Sequence, residues 1–148
     1  MRLSQLITRR TEAYLDEGYG ACLLADPANA RQMSESLLHF QDERCLTSCF
    51  TVMPNHVHAV IKPLDGFELE EILDSVKGFV SRKLNAKLGR RGTLWAQESY
   101  DRIIRDEEHL YRVVQYIGRN PLKARLPASP WHRWIHPEWV DAGWGFEA

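Results

Sequence analysis

The sequence contains no hydrophobic stretch long enough to span a membrane. A transmembrane helix needs about 20 consecutive apolar residues, and every apolar run in this chain of 148 residues is far shorter. The opening segment MRLSQLITRR also lacks the apolar core of a secretory signal peptide. We therefore expect a cytoplasmic protein, and the length predicts a single domain over residues 1–148.

Cysteine is scarce, with only three residues, Cys22, Cys45 and Cys49. Cys45 and Cys49 have no second pair of ligands along the chain, so a structural zinc site is not expected. We predict reduced and mostly buried thiols. Apolar residues make up 44% and charged residues 26% of the chain, which is typical of an ordered globular protein and argues against disorder.

The net charge is small, at −1, but the charges are unevenly distributed. Residues 1–75 carry six basic and twelve acidic side chains, whereas residues 76–125 carry twelve basic and five acidic side chains. A basic segment of this kind predicts a surface for an anionic partner, of which nucleic acid is the commonest large one. The solvated surface of a helix would give the same pattern, and the charges alone do not decide between the two.

The spacing of apolar residues predicts two helices in the first two thirds of the chain. Asp26-Pro27 is typical of a helix start, and this helix is expected to end near Phe40. Between residue 68 and about residue 88, apolar residues recur every three or four positions, which predicts a longer helix. Residues 1–17 are weakly patterned and favour a helix over a strand.

A last helix is predicted after residue 105. Asp106 is a typical N-cap residue, and Asn120-Pro121 is expected to end the helix. The following segment, residues 127–148, is rich in tryptophan and proline, and we expect an irregular tail whose indoles pack against the domain.

Two histidines lie close together in the segment PNHVHAVIKP, residues 54–63. The apolar alternation before and after Pro54-Asn55 predicts two strands of a β-hairpin. On a strand, His56 and His58 share one face, and the apolar residues between and after them point to the other. Two such imidazoles can bind a divalent metal ion. The pattern is short and common by chance, so by itself it favours two surface histidines beside a turn.

Tyr116 and Asn120 lie on the predicted last helix, four residues apart. At about 100° per residue they share a stripe with His109, beside the apolar stripe that faces the core. A tyrosine hydroxyl near a metal-bound phosphate can act as a nucleophile, and an asparagine amide can be a metal ligand. A residue half-buried at the margin of the core would explain Tyr116 equally well.

Three segments in this order, MPNHVHAVI, LWAQESYDRIIRDEEHL and YRVVQYIGRNPLKARL, make the sequence resemble the REP-associated tyrosine transposases. These are single-tyrosine members of the HUH transposases, and the resemblance runs from about Leu23 to Leu126. It implies an α+β fold with an RRM or ferredoxin-like antiparallel sheet flanked by helices. It also implies Mg²⁺ or Mn²⁺ as cofactor, and cleavage of single-stranded hairpin DNA through a 5′-phosphotyrosine bond that leaves a free 3′-hydroxyl.

The resemblance assigns roles to individual residues. His56 and His58 match the metal-binding histidine pair, Tyr116 matches the nucleophile, and Asn120 stands where related enzymes carry a glutamine or asparagine ligand. Tyr100 and Tyr111 are rival tyrosines, and Tyr111 lies on a different stripe of the helix from Asn120. The basic segment is expected to hold the DNA backbone, and two aromatic residues within it are candidates for stacking on bases. The predicted DNA-binding residues are Arg82, Lys83, Lys87, Arg90, Arg91, Trp95, Tyr100, Arg102 and Arg105.

The first 22 residues match the family poorly. Family members begin with an aromatic-rich strand inside the sheet, and the sequence before Asp26 shows no such strand, so we expect the first strand to be missing, as in a truncated chain. Unpaired strand edges would then favour self-association as a homodimer. Two other functions stay open: a catalytically decayed or domesticated DNA-binding protein, and a metal-dependent phosphodiesterase that uses water.

Overall fold

The computed structural model describes residues 10–16, 22–96, 100–126 and 131–146. Five strands and four α-helices, with a short 3₁₀ turn at Leu23–Ala25, make up the described part of the chain. The strands are β1 (Thr11–Asp16), β2 (Cys45–Val52), β3 (His56–Pro63), β4 (Tyr100–Ile103) and β5 (Arg133–Ile135). The helices are α1 (Pro27–Leu38), α2 (Leu69–Leu88), α3 (Glu107–Lys123) and α4 (Pro137–Asp141).

The five strands form one sheet in the order β4-β1-β3-β2-β5, and every neighbouring pair is antiparallel. Along the chain, the first four strands and the first two long helices follow the order β-α-β-β-α-β. This order, with β1 and β3 in the middle of the sheet, is the RRM or ferredoxin-like arrangement. The predicted α+β fold class is therefore confirmed, and β5 extends the sheet by one strand.

The first strand, which the sequence predicts to be missing, is present. Residues 11–16 form β1, which pairs with β3 along one edge and with β4 along the other. The prediction fails because only Ala13 and Leu15 point into the core, and two apolar residues are too few for a recognisable alternation. Since both edges of β1 are paired, the unpaired edge that gave the reason to expect self-association and a homodimer does not exist.

The sheet is covered on both faces by different parts of the chain. Helices α1 and α2 pack on the face to which Leu15, Val57 and Ile61 point. Helix α3 packs on the opposite face, where its apolar stripe meets Cys49 and Val60. Because side chains alternate along a strand, His56 and His58 lie on the same face as Val60. The histidine pair is therefore on the side of the sheet that α3 covers.

Several predicted elements agree with the structure. The β2–β3 hairpin, the helix that starts at Pro27 and the long helix α2 are confirmed within one or two residues of the expected bounds. Asp26 caps α1, since its carboxylate accepts the backbone N–H of Ala28 at 2.8 Å. Asp106 caps α3 in the same way, with the backbone N–H of His109 at 2.7 Å.

The end of α3 and the tail differ from the prediction. Helix α3 continues through Pro121 to Lys123. Pro121 has no N–H to donate to the preceding turn of the helix. The proline ring is nevertheless buried, and the backbone N–H of Ala124 donates to the carbonyl of Asn120. The tail is not irregular, because β5 pairs with β2 and α4 follows it. Its indoles do pack on the domain, since Trp139 and Trp144 are buried.

The three cysteines are free thiols, and Cys45 and Cys49 are buried as predicted, whereas Cys22 is exposed. The described residues contain no cluster of three or more His, Cys, Asp or Glu side chains that could hold a metal ion. None of the described helices has the length and hydropathy of a membrane-spanning segment.

A stability measurement can test the interior position of β1. We expect Leu15→Ala to lower the free energy of unfolding by about 2–5 kcal/mol, because Leu15 is 2% exposed and its removal leaves a cavity. Leu122→Ala, the same substitution at a side chain that is 49% exposed on α3, is the matched control and should cost less than about 1 kcal/mol. Equal effects of the two substitutions in urea unfolding would contradict the placement of β1 in the sheet.

Candidate active site

The histidine pair lies at the start of β3, directly after the tight connection from β2. His58 is 7% exposed and His56 is half-buried, and the two rings stand at 86° with their centroids 5.2 Å apart. The Nδ1 atom of His56 lies 2.8 Å from the Oδ1 atom of Asn55, the last residue of the connection. The local sequence Pro54-Asn55 thus both turns the chain and orients the first imidazole.

Burial favours the neutral form of both imidazoles by lowering their pKa values. It lowers the pKa of His56 below its usual value, against the opposite effect of the Asp16 carboxylate. Burial, followed by the charge interaction with His56, lowers the pKa of His58 to about 4. A neutral imidazole has a free lone pair, which is the form that binds a metal ion.

Strand β1 adds two side chains beside the histidines. Tyr14 is paired across the sheet with His58, and its ring stacks on His56 at 5.1 Å and meets the edge of His58 at 4.8 Å. Glu12 is buried, and its Oε1 atom lies 3.8 Å from Nδ1 of His58. This distance is too long for a hydrogen bond, and a neutral His58 forms no ion pair with the carboxylate.

Helix α3 brings Tyr116 to the same place. The apolar stripe of α3 is fixed against the sheet by Val114 and Ile117, both fully buried, so the neighbouring stripe faces the start of β3. The ring of Tyr116 packs edge-on against His58, with the centroids 5.7 Å apart. Its side chain is 50% exposed, so the phenol is open to a ligand from solvent while its ring touches the histidine pair.

The structure separates the predicted tyrosines. Tyr111 packs against Trp144, with ring centroids 5.7 Å apart, in the cluster between α3 and the tail. The side chain of Tyr100 lies outside the described residues, although its backbone begins β4 opposite Tyr14. Asn120 is half-buried, one helical turn beyond Tyr116.

Tyr14 is a further tyrosine at the site, but its ionisation is disfavoured. Burial raises its pKa, and the Asp16 carboxylate and the Tyr116 hydroxyl raise it further. A phenolate forms less easily there than at an exposed position. Tyr116 is thus the tyrosine that combines exposure with contact to the histidines.

The residues around His58 include atoms that could bind a divalent ion. The Nδ1 atom of His58 is buried and has no hydrogen-bond partner among the described residues. The imidazoles of His56 and His58 and the buried Glu12 carboxylate lie near one another, although they do not form a ready-made cluster of metal ligands. Imidazole nitrogens and carboxylate oxygens are ligands of divalent metal ions in proteins.

The predicted DNA-binding residues fall into two groups on opposite sides of the sheet. Arg102 pairs across the sheet with Glu12, and Arg102 and Arg105 line one cavity with residues of α3, so both are on the side of Tyr116. The residues of α2 lie on the other side, where Lys87 donates to Asn29 at 2.9 Å and Lys83 packs over Phe79. The others on that side are Arg82, exposed on α2, half-buried Arg90 and exposed Arg91.

Trp95 does not fit the predicted stacking on a DNA base. The residue is 4% exposed, and its indole N–H donates to the carbonyl of Lys77 at 3.0 Å. Its ring belongs to the core between α2 and the sheet, so no base can reach it in the folded chain.

Comparison with known proteins identifies the family. The sequence model of the IS200-like transposases matches residues 31–120, which include both histidines, Tyr116 and Asn120. The chain belongs to the IS200-like transposase family. Because transposases act on DNA, membership of this family supports DNA transposition as the class of function and DNA as the partner. No curated protein matches the sequence.

Solved structures share the fold of this chain. One is a REP-associated tyrosine transposase bound to a REP hairpin, with a TM-score of 0.65, 15% sequence identity, and coverage of 78% of this chain and 67% of that one. Another is a transposase candidate from Deinococcus radiodurans R1, with a TM-score of 0.53, 16% identity, and coverage of 73% and 87% respectively. At these identities the likeness shows the shared fold.

The sequence does not indicate Glu12 or Tyr14 as site residues. Both are on β1, and without that strand nothing connects them with residues 56–58. The signal that could reveal them is the polar alternation of Glu12, Tyr14 and Asp16, which marks one face of a short strand.

Proposed function

We propose that this protein is a transposase that cleaves and rejoins single-stranded hairpin DNA through a 5′-phosphotyrosine bond at Tyr116. The observation that carries the proposal is the contact between the exposed Tyr116 ring and His58. A nucleophile must reach a substrate from solvent and also lie beside the groups that stabilise the developing charge. Among the described tyrosines, Tyr116 meets both requirements.

The proposed reaction is a transesterification. The hydroxyl oxygen of Tyr116 attacks the scissile phosphorus, the bond from phosphorus to the 3′ oxygen breaks, and the 3′ oxygen takes up a proton. The tyrosine loses its proton to solvent. In the reverse step a 3′-hydroxyl attacks the phosphotyrosine and releases the tyrosine. One phosphate ester replaces another in each step, so rejoining needs no ATP.

His56 and His58 would hold Mg²⁺ or Mn²⁺, and Asn120 is the proposed third ligand. When bound, the ion would withdraw charge from the scissile phosphate. The low pKa of His58 means that protons compete little for this ligand near neutral pH. The Glu12 carboxylate, 3.8 Å from Nδ1 of His58, lies beside the proposed metal site.

Strand β1 and the exposed tyrosine bear on the two alternative functions, a decayed DNA-binding protein and a phosphodiesterase. The missing strand was the main reason to consider a decayed DNA-binding protein, and the sheet has that strand in its middle. A phosphodiesterase that uses water would need no exposed tyrosine at the histidines. We therefore favour covalent catalysis over both.

An adduct assay tests the proposal. The purified protein is incubated with Mn²⁺ and a pool of labelled DNA hairpins whose single-stranded flanks vary in sequence, and is then resolved under denaturing conditions. We expect a labelled band at the mass of the protein plus a DNA fragment. Cleavage without an adduct would support the phosphodiesterase, and binding without cleavage would support the DNA-binding protein.

A further inference from the structure

A second group of basic side chains surrounds an open cavity on the same side of the sheet as Tyr116. The cavity has a volume of about 500 Å³ and lies where β4 leads into α3. Its lining contains three positive side chains and one negative one, and consists of Arg102, Arg105, Asp106, His109 and Arg112. A concentration of three guanidinium groups around one cavity is suited to an anion.

The polar groups around this cavity are arranged to donate hydrogen bonds. The backbone N–H of Arg105 donates to Nδ1 of His109 at 3.2 Å, so a neutral His109 carries its proton on Nε2. The Asp106 carboxylate accepts a hydrogen bond from the backbone N–H of His109 at 2.7 Å, so this carboxylate is already bound at the start of α3. Guanidinium groups have donors only, and their planar geometry matches two oxygens of a phosphate.

The cavity is close to Tyr116 along α3. At 1.5 Å per residue, Arg112 precedes Tyr116 by about 6 Å and His109 precedes it by about 10 Å along the axis. The three residues lie within about 60° of one another around the helix, on the stripe beside the core. Arg102 belongs to the same face, because it pairs across the sheet with Glu12, which faces His58.

We propose that this cavity binds a backbone phosphate of the single-stranded DNA that leads to Tyr116. Successive phosphates of a stacked strand are about 3.4 Å apart along the strand axis and farther apart in space, so the bound phosphate lies roughly one to three nucleotides from the one at Tyr116. This inference rests on the proposed function and deepens it. The cavity holds the strand in register, and Arg102, Arg105 and Arg112 are positioning residues that act on the DNA backbone.

Binding to DNA with single neutral linkages tests the proposal. The full chain is titrated in EDTA, which prevents cleavage, against hairpins with one methylphosphonate placed at successive positions in the single-stranded flank or the stem. We expect one linkage in the flank at which neutralisation weakens binding about tenfold. The Arg112→Gln variant should bind about tenfold more weakly than the parent chain and should be insensitive to that same linkage.

Arg31→Gln is the matched control. It also removes one positive charge, but Arg31 is on α1, on the far side of the sheet, where it pairs with Glu35. This variant should keep the full sensitivity to the neutral linkage. The proposal would be overturned if Arg112→Gln and each neutral linkage in the flank lowered the DNA affinity independently of each other. It would also be overturned if the two effects were coupled only at linkages in the stem.

The binding assay is independent of the reaction proposed for Tyr116. Coupling between Arg112 and one flank linkage, without any covalent adduct in Mn²⁺, would retain the phosphate site and reject the phosphotyrosine mechanism. An adduct without this coupling would retain the phosphotyrosine mechanism and reject the phosphate site.

Discussion

The Tyr116→Phe variant is expected to form no covalent adduct with hairpin DNA, while its fold and its affinity for DNA stay close to those of the parent chain. Only the hydroxyl oxygen is removed, and the ring that contacts His58 remains. Loss of a nucleophile that has no substitute lowers the rate by at least about 10³-fold, so the adduct should fall below detection on a denaturing gel.

Tyr14→Phe is the matched control for this variant. It removes the same hydroxyl from the other tyrosine that contacts His58. We expect the adduct to form, since the raised pKa of Tyr14 makes it a poorer nucleophile. An adduct that survives in Tyr116→Phe and disappears in Tyr14→Phe would transfer the nucleophilic role to β1.

The second large effect is expected for the histidine pair. The double variant His56→Ala, His58→Ala should lose detectable Mn²⁺ binding in calorimetry and should form the adduct at least about 100-fold more slowly. Asn120→Ala should have a smaller effect on both quantities, because the two imidazoles remain. The physical reason is that the double variant loses the two neutral nitrogen ligands on which the proposed site depends.

His39→Ala serves as the control for the histidine variants. His39 is exposed and lines the cavity between α1 and α2, on the far side of the sheet. We expect unchanged Mn²⁺ affinity and unchanged adduct formation. Mn²⁺ binding that is equal in the parent chain and the double variant would reject the metal site, whatever the effect on cleavage.

The parts of the site that are close in sequence could be predicted from the sequence. His56 and His58 are on one strand, and the apolar residues that alternate with them show which face they occupy. Tyr116 and Asn120 are on one helix with a strong apolar stripe. The contact between Tyr116 and His58 depends on how α3 packs on the sheet, which local sequence patterns do not show. The resemblance to a family was the reason to expect these residues in one site.

The missed strand shows why the rest could not be predicted. Three of the six residues of β1, Glu12, Tyr14 and Asp16, are polar because they face the histidines, so the strand lacks a typical composition. Because these site residues are polar, β1 cannot be recognised as a strand from its sequence. Trp95 is the opposite case, since the basic segment in which it lies suggests a surface residue and only the packing of α2 reveals its burial.

The position of β1 also determines the order in which the site can be completed during synthesis. Residues 11–16 leave the ribosome before their partners, which are residues 56–61 and 100–103, so β1 has no neighbour until β3 has emerged. The β2–β3 hairpin needs only adjacent residues and can set the two histidines side by side early. The contacts of Tyr14 and Glu12 come no earlier than β3, and Tyr116 can join only after α3 has emerged. A nascent chain therefore carries the histidine pair before it carries its tyrosine, and the complete site exists only when the domain is nearly finished.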